Sequence, residues 1–199
     1  MRQFVNLSCI KLFVRSLVST LFGLIVTKCL LIFFTAVVLL SISCNNTIEI
    51  QDEYQSNIVE GDKVPQFQVV NVDGSLLSSN ELLGKRSIIV FFIISCPYCR
   101  ALMPVVEDVW LNTKEFEDVS IIPVGRGETV QSIGTYWESE NLTMPAFIDT
   151  NRKMYDKFAE TGVPRIYISD KNGIVIWKAL GTEGVTVELL MSKLFPNVL

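Results

Sequence analysis

The strongest structural signal in this chain is the segment 87–100, which reads Ser-Ile-Ile-Val-Phe-Phe-Ile-Ile-Ser-Cys-Pro-Tyr-Cys-Arg. Its first eight residues are almost continuously apolar, which is typical of a central parallel strand buried on both faces. A proline suited to a first helical position follows Cys96, and Met103, Val106 and Val109 then recur at helical spacing. The segment therefore predicts a strand that leads through a short loop into a helix, with two cysteines at the junction.

The two cysteines occupy positions that favour redox chemistry. Cys96 is expected at the N-terminus of the helix, where free N–H groups and the helix dipole stabilise a thiolate. Cys99 follows one turn later on the same face, within reach of Cys96 for a disulfide. Such a pair can perform thiol–disulfide exchange, in which Cys96 is the nucleophile and Cys99 resolves the mixed disulfide. The Cys96–Cys99 disulfide is then itself the redox group, and no separate cofactor is expected.

Other uses of a Cys-x-x-Cys pair fit this sequence less well. A zinc site needs four ligands, but the chain has no histidine and no cysteine beyond residue 44 except this pair. Haem attachment requires a histidine after the second cysteine, where Arg100 stands. A peroxidatic cysteine is usually preceded by proline and by threonine or serine at fixed offsets, where Ile89 and Ile93 stand. Two structural cysteines buried on a helix remain the alternative to a redox pair.

The first 44 residues have the composition of a targeting segment. Residues 1–43 carry four basic residues and no acidic one, and a single lysine separates the apolar stretches 17–27 and 29–40. The small residues before Cys44 resemble a bacterial lipobox, which would make Cys44 the lipidated first residue of the mature protein. An uncleaved signal anchor is the alternative, because residues 17–43 are long enough to span a bilayer. Both hypotheses place the rest of the chain in the cell envelope, facing the periplasm or the outside, and tie it to the membrane.

The remaining sequence divides into a tether and one domain. Residues 45–58 are polar, acidic and without periodicity, as expected of a flexible tether. Residues 59–199 are long enough to form one domain with a substantial core. The whole chain has 17 basic and 21 acidic residues, so without the four basic residues of the leader the balance is 13 to 21, a net charge of −8. An acidic domain with no basic run argues against binding of nucleic acid.

Alternation of strand and helix patterns predicts an α/β domain with a mixed sheet. Beyond the cysteines, the expected strands are 119–124, 146–148, 165–169 and 174–177, and the expected helices are 129–141, 151–160 and 186–194. The turn at 170–173 reads Asp-Lys-Asn-Gly and joins the last two strands as a hairpin. Such a hairpin beside alternating strands and helices indicates a central mixed sheet flanked by helices.

Taken together, these features resemble the thioredoxin-fold, membrane-anchored thiol–disulfide oxidoreductases of the TlpA and ResA type, which are related to AhpC/TSA redoxins and are common as lipoproteins in Bacteroidetes. The resemblance spans residues 59–195. Its motifs are Gly-Asp-Lys-Val-Pro-Gln-Phe at 61–67, Asp73-Gly74, Leu83-Gly84-Lys85, the Cys96–Cys99 pair, Pro104 and Thr161-Gly162-Val163-Pro164. It implies a thioredoxin-like fold with an N-terminal extension and a βα insertion between the two active-site elements.

The resemblance also implies a substrate-binding surface. Pro164 is expected to form a cis peptide and to face the cysteines, and the backbone of Val163 to pair with an extended substrate strand. An ordinary proline at the start of a strand is the alternative. Pro97 and Tyr98 complete the implied surface. The implied partners are proteins with thiols or disulfides, and a membrane redox partner that recycles the pair.

Two departures from the family pattern concern the proton of Cys99. Val90 stands where thioredoxins have a buried aspartate, and Leu102 stands where many members of this branch have a glutamate. Either carboxylate would help Cys99 to lose its proton, so we expect a working but slower resolving step. Because the domain lacks a histidine that could stabilise a thiolate, we expect a reductase or a mild exchanger and not a strong oxidase. A second hypothesis is a peptide-binding or chaperone module of the same fold with weak or no redox turnover.

Overall fold

One mixed sheet of seven strands organises residues 55–196, the part of the chain that the computed structural model describes. The strands are β1 (Gln68–Asn71), β2 (Leu76–Ser78), β3 (Arg86–Phe92), β4 (Val119–Arg126), β5 (Phe147–Asp149), β6 (Arg165–Ser169) and β7 (Val175–Leu180). Their spatial order is β2-β1-β5-β4-β3-β6-β7. β4 pairs in parallel with β3 and β5, and the other neighbours are antiparallel. The predicted α/β class with a mixed sheet is confirmed.

Helices cover both faces of this sheet. They are a 3₁₀ turn (Ser79–Leu82), α1 (Pro97–Thr113), α2 (Val130–Glu140), α3 (Tyr155–Phe158) and α4 (Val187–Leu194). Thr129 and Thr186 cap α2 and α4 by accepting backbone N–H groups of the first turn, so these helices begin one residue later than expected. No helix in residues 55–196 is long and apolar enough to cross a membrane. Cys44 and the leader lie outside the described residues.

The central strand β3 is apolar along its length because it is buried on both faces. Ile88, Val90 and Phe92 pack in the core cluster that contains buried residues of α1, α2 and α4. Ile89 and Phe91 point into the second cluster, which contains buried residues of α3. The near-continuous apolar run in the sequence is therefore explained by a layer of helices on each side.

Strand pairing decides which loops meet at the end of β3. The parallel ladder of β3 and β4 ends at the pair Phe92 and Gly125, so the segments after both strands emerge at the same edge of the sheet. The antiparallel ladder of β3 and β6 pairs Phe91 with Arg165. The chain that enters β6 therefore lies beside the segment that leaves β3. The cysteine loop, the loop after β4 and the loop before β6 converge for this reason.

The strand expected at 174–177 runs from Val175 to Leu180, because its end pairs with the start of β6. Two further expectations about local structure were also wrong in extent. The helix expected at 151–160 covers only α3, because Arg152 has a φ of 60° and the Asp149 carboxylate binds the N–H groups of Met154 and Tyr155. The strand expected to end at residue 124 continues to the end of β4, because its last residues pair with β5. In both places a contact with a distant segment overrides the local pattern. At the start of the described chain, Ser56 forms a β-bridge with the residue that follows α3.

Candidate active site

Cys96 is the N-cap of α1, as the sequence predicts. Its backbone is extended, with φ −86° and ψ 116°, and Pro97 begins the helix. The backbone N–H of Cys99 donates to the Sγ of Cys96 over 3.3 Å. The Cys96 sulfur therefore lies at the N-terminal end of the helix and accepts one of its free N–H groups. Cys96 is half-buried, and both cysteines are free thiols.

Cys99 has a very different environment from Cys96. Its side chain is completely buried in the core cluster that also contains residues of β3. The pKa of the Cys99 thiol is raised to about 12, chiefly by burial and to a smaller extent by the nearby Cys96 sulfur. A backbone hydrogen bond with Ile93 and the positive charge of Arg126 act in the opposite direction and are weaker. Cys99 is therefore a protonated thiol at neutral pH.

The loop before β6 completes the site. The peptide bond between Val163 and Pro164 is cis, as predicted, and the carbonyl oxygen of Val163 lies 3.8 Å from the Sγ of Cys96, whose S–H can donate to it. Tyr155 Oη donates to the carbonyl of Gly162 over 2.7 Å, and Arg165 Nε donates to the carbonyl of Thr161 over 2.9 Å. These two hydrogen bonds hold the loop from α3 and from the start of β6.

The surface around Cys96 is open. Pro97 is exposed, and the Tyr98 side chain is 67% exposed beside it. A groove of about 570 Å³ runs between Ser95 and the first turns of α2. The structure thus brings Cys96, Pro97, Tyr98, Val163, Pro164 and Cys99 together, whereas Cys44 lies outside the described residues. Among residues 55–196, no group of three or more His, Cys, Asp or Glu side chains is placed to hold a metal ion.

The positions of the absent carboxylates are apolar and closed. Val90 is completely buried and Leu102 is 1% exposed, and both lie in the same core cluster as Cys99. The guanidinium of Arg100 pairs with Glu140 at 3.0 Å. Neither Val90 nor Leu102 can act as a base for the Cys99 thiol. The slow resolving step is consistent with this and stays a prediction.

Two charged residues near the pair were missed by the sequence analysis. Arg126 lies at the end of β4 with its guanidinium 4.6 Å from the centre of the Tyr155 ring. Glu128 binds the cysteine loop directly, because its Oε1 accepts the backbone N–H of Ile94 over 2.9 Å. Both residues are distant from Cys96 in the sequence, and no local pattern marks them.

Known proteins are similar to this chain in sequence and in fold. A sequence model of the family described as Redoxin matches residues 59–191. A thiol-disulfide oxidoreductase ResA of Bacillus cereus is 26% identical over 123 residues, which cover 62% of this chain and 70% of that protein. The thiol-disulfide oxidoreductase ResA of Bacillus subtilis (strain 168) is 23% identical over 128 residues, which cover 64% of this chain and 71% of that protein.

A solved structure is similar over most of the domain. A thiol:disulfide interchange protein of the thioredoxin family from Chlorobium tepidum TLS superposes with a TM-score of 0.59. It is 22% identical, and the match covers 69% of this chain and 99% of that chain. This likeness supports the thioredoxin-like fold.

Proposed function

The chain belongs to the Redoxin family as a thiol–disulfide oxidoreductase of thioredoxin-like fold, and from this premise we propose that Cys96 and Cys99 are its redox pair and that it acts on disulfides of cell-envelope proteins. One observation carries the assignment of roles. The sulfur of Cys96 accepts a helix N–H at the protein surface, while Cys99 is buried and protonated. Only Cys96 can meet a substrate disulfide first.

The reaction then runs in two exchanges. The Cys96 thiolate attacks one sulfur of the substrate disulfide, whose S–S bond breaks while the other sulfur leaves and takes up a proton. Cys99 loses its proton and attacks the Sγ of Cys96, and the second substrate sulfur leaves and is protonated. The substrate gains two electrons and two protons as a dithiol, and the pair becomes the Cys96–Cys99 disulfide.

The proton of Cys99 is the difficult step of this sequence. Because Val90 and Leu102 replace the carboxylates of related proteins, a water molecule, a backbone group or the departing substrate sulfur must accept this proton. A strongly oxidising pair gains from a histidine that stabilises the thiolate of its reduced form, and the chain contains no histidine. The pair is therefore suited to reduction or mild exchange.

The substrate side of the site is suited to an extended peptide. The Val163 carbonyl lies next to the reacting sulfur and can pair with the backbone of a substrate strand. Pro164 fixes the turn behind it, and the exposed Pro97 and Tyr98 offer apolar surface on the other side of Cys96. These residues bind the polypeptide around the disulfide and leave the chemistry to the sulfurs.

The location of the enzyme follows from the leader. Residues 1–44 act as a signal that ends at the lipidated Cys44, or as an uncleaved anchor, residues 45–58 serve as the tether, and residues 59–199 form the thioredoxin-like domain. A membrane redox partner returns the pair to its dithiol form. Labelling of the wild type with a radioactive fatty acid in cells, absent in Cys44→Ala, tests lipidation against the anchor.

Reduction of insulin disulfides by the full-length chain tests the enzymatic function. The wild type should reduce insulin with dithiothreitol as the electron source, Cys96→Ser should not, and Cys99→Ala should accumulate a mixed disulfide. The apolar residues Val90 and Leu102 beside Cys99 favour one alternative, a peptide-binding or chaperone module. Equal, background rates in the wild type and in Cys96→Ser would support that alternative and contradict the redox function.

A further inference from the structure

The peptide group between Ile93 and Ile94 is held at both ends. Its carbonyl oxygen, on Ile93, accepts the backbone N–H of Cys96 over 3.2 Å. Its N–H, on Ile94, donates to Glu128 Oε1 over 2.9 Å. One rigid peptide plane therefore connects the carboxylate of Glu128 to the backbone of the nucleophile.

The hydrogen bond from Ile94 to Glu128 lies just beyond the last backbone pair of the β3–β4 ladder. The ladder between β3 and β4 ends at the pair Phe92 and Gly125. Ile94 lies beyond that pair, and its N–H donates to a side-chain carboxylate and not to the backbone carbonyl of a neighbouring strand. A hydrogen bond to a carboxylate is shorter and roughly twice as strong as a neutral one, so it can hold a loop that the ladder no longer holds.

Glu128 is itself held in one position. Its Oε2 accepts the hydroxyl of Ser132 in the first turn of α2 over 2.9 Å, and its carbonyl oxygen accepts the hydroxyl of Thr150 over 2.8 Å. A Cβ on Gly125 would lie 3.0 Å from the Cβ of Glu128, so the glycine leaves the Glu128 side chain the space that it occupies. These contacts fix the carboxylate in the orientation that reaches the cysteine loop.

We propose that Glu128 is a positioning residue for the exchange reaction, which fixes the cysteine loop through Ile94 so that the Cys96 sulfur meets a disulfide in line. The inference rests on the proposed redox role of Cys96. Disulfide exchange is sensitive to orientation, because the attacking sulfur must approach along the axis of the bond that breaks. The hydrogen bonds of Glu128 go to Ile94, Ser132 and Thr150 and not to a sulfur, so its effect passes through the backbone of the loop.

Two conservative substitutions separate position from charge. Glu128→Asp keeps the charge but is too short to reach Ile94, whereas Glu128→Gln loses the charge and keeps an oxygen at the same distance. Glu138→Asp is the matched control, because Glu138 is an exposed carboxylate on α2. The rate of reaction of Cys96 with Ellman's reagent is measured in the full-length chain. The reaction that remains in Cys96→Ser is subtracted.

Positioning predicts that Glu128→Asp reacts about tenfold more slowly than the wild type, the effect of losing one hydrogen bond to a charged group. Glu128→Gln should stay within about twofold, because its amide oxygen still accepts from Ile94. The Ile94 amide proton, followed by NMR, should lose protection from exchange in Glu128→Asp and keep it in Glu128→Gln. A structural role without positioning would lower stability but would not produce this order of rates.

The opposite order would overturn the proposal. If Glu128→Gln is slow and Glu128→Asp is fast, the charge acts and not the position, and if Glu128→Asp equals Glu138→Asp, Glu128 has no role. Neither readout depends on turnover of a protein substrate. Failure of the wild type to reduce insulin would therefore contradict the proposed function, while the Ellman rates and the Ile94 amide would still decide the role of Glu128.

Discussion

Raising the pH should accelerate the resolving half of the reaction because Cys99 must lose its proton before it attacks. The structure buries the Cys99 side chain completely, and burial is the largest cause of its raised pKa. Burial persists when Cys96 is in a mixed disulfide, whereas the contributions of the Cys96 sulfur change. The pKa of Cys99 therefore stays high in the intermediate that it resolves.

The size of the effect follows from a pKa of about 12. At pH 7 only about one Cys99 in 10⁵ is ionised, because the ionised fraction falls about tenfold for each pH unit below the pKa. From pH 7 to pH 9 the thiolate, and with it the rate of resolution, should rise about 100-fold. The rise should continue without a plateau over this range.

Ellman's reagent provides an assay in which both half-reactions release the same coloured thiolate. Attack by Cys96 releases the first equivalent, and resolution by Cys99 releases the second. Stopped-flow absorbance at a series of pH values separates the two phases. Cys99→Ala shows the first phase alone, so the pH dependence of Cys96 and of the reagent is measured independently.

A rate of resolution that hardly changes with pH would contradict the high pKa of Cys99. If the second phase rises less than about tenfold between pH 7 and pH 9, or levels off below pH 8, Cys99 is ionised far more easily than its burial allows. A base that the structure does not place near Cys99 would then have to accept the proton.

Three further predictions concern single side chains. Leu102→Glu should speed resolution by offering a base one turn from Cys99, and it should lower the free energy of unfolding because the carboxylate is buried without a partner; an unchanged release of the mixed disulfide in stopped flow would count against it. Gly125→Ala should lower the free energy of unfolding in urea by about 1–3 kcal/mol, because the added methyl would lie 2.4 Å from the buried Ile133. Gly134→Ala in α2 should raise it by about 0.5–1 kcal/mol, because the added methyl meets nothing within 4 Å. Equal effects of the two substitutions would contradict the packing around Gly125. Glu107→Gln should destabilise by about 1.5–3 kcal/mol in the same assay, because the buried carboxylate accepts N–H groups from the loop before β5 and an amide nitrogen cannot; a neutral result would be inconsistent with these bonds.

Much of the fold followed from patterns within short segments. The apolar run before Cys96 predicted a central strand, and Pro97 predicted where the helix begins. Both are confirmed because each depends on neighbours within a turn or two. The cis peptide before Pro164 followed from resemblance and not from local preference, since trans is the common state of such a bond.

The errors and omissions have one physical cause. The helix expected at 151–160 is short because Asp149 takes its first N–H groups, and β4 is long because β5 pairs with its end. Arg126 and Glu128 reach the site only because β3 and β4 are parallel neighbours in this register. Contacts of this kind join residues that are far apart in the chain, and no local pattern records them.

The sequence by itself determined the chemistry of the site: two cysteines at the start of a helix, in a chain without histidine and with Val90 and Leu102 at the positions where a carboxylate would assist them. Its short-range spacing was sufficient, because the positions of Cys96 and Cys99 on α1 depend on one turn of helix. The tertiary structure alone decided how unequal the two sulfurs are and what holds them. Burial against β3 keeps the proton on Cys99, and the meeting of three loops at one edge of the sheet places Val163 and Glu128 around Cys96.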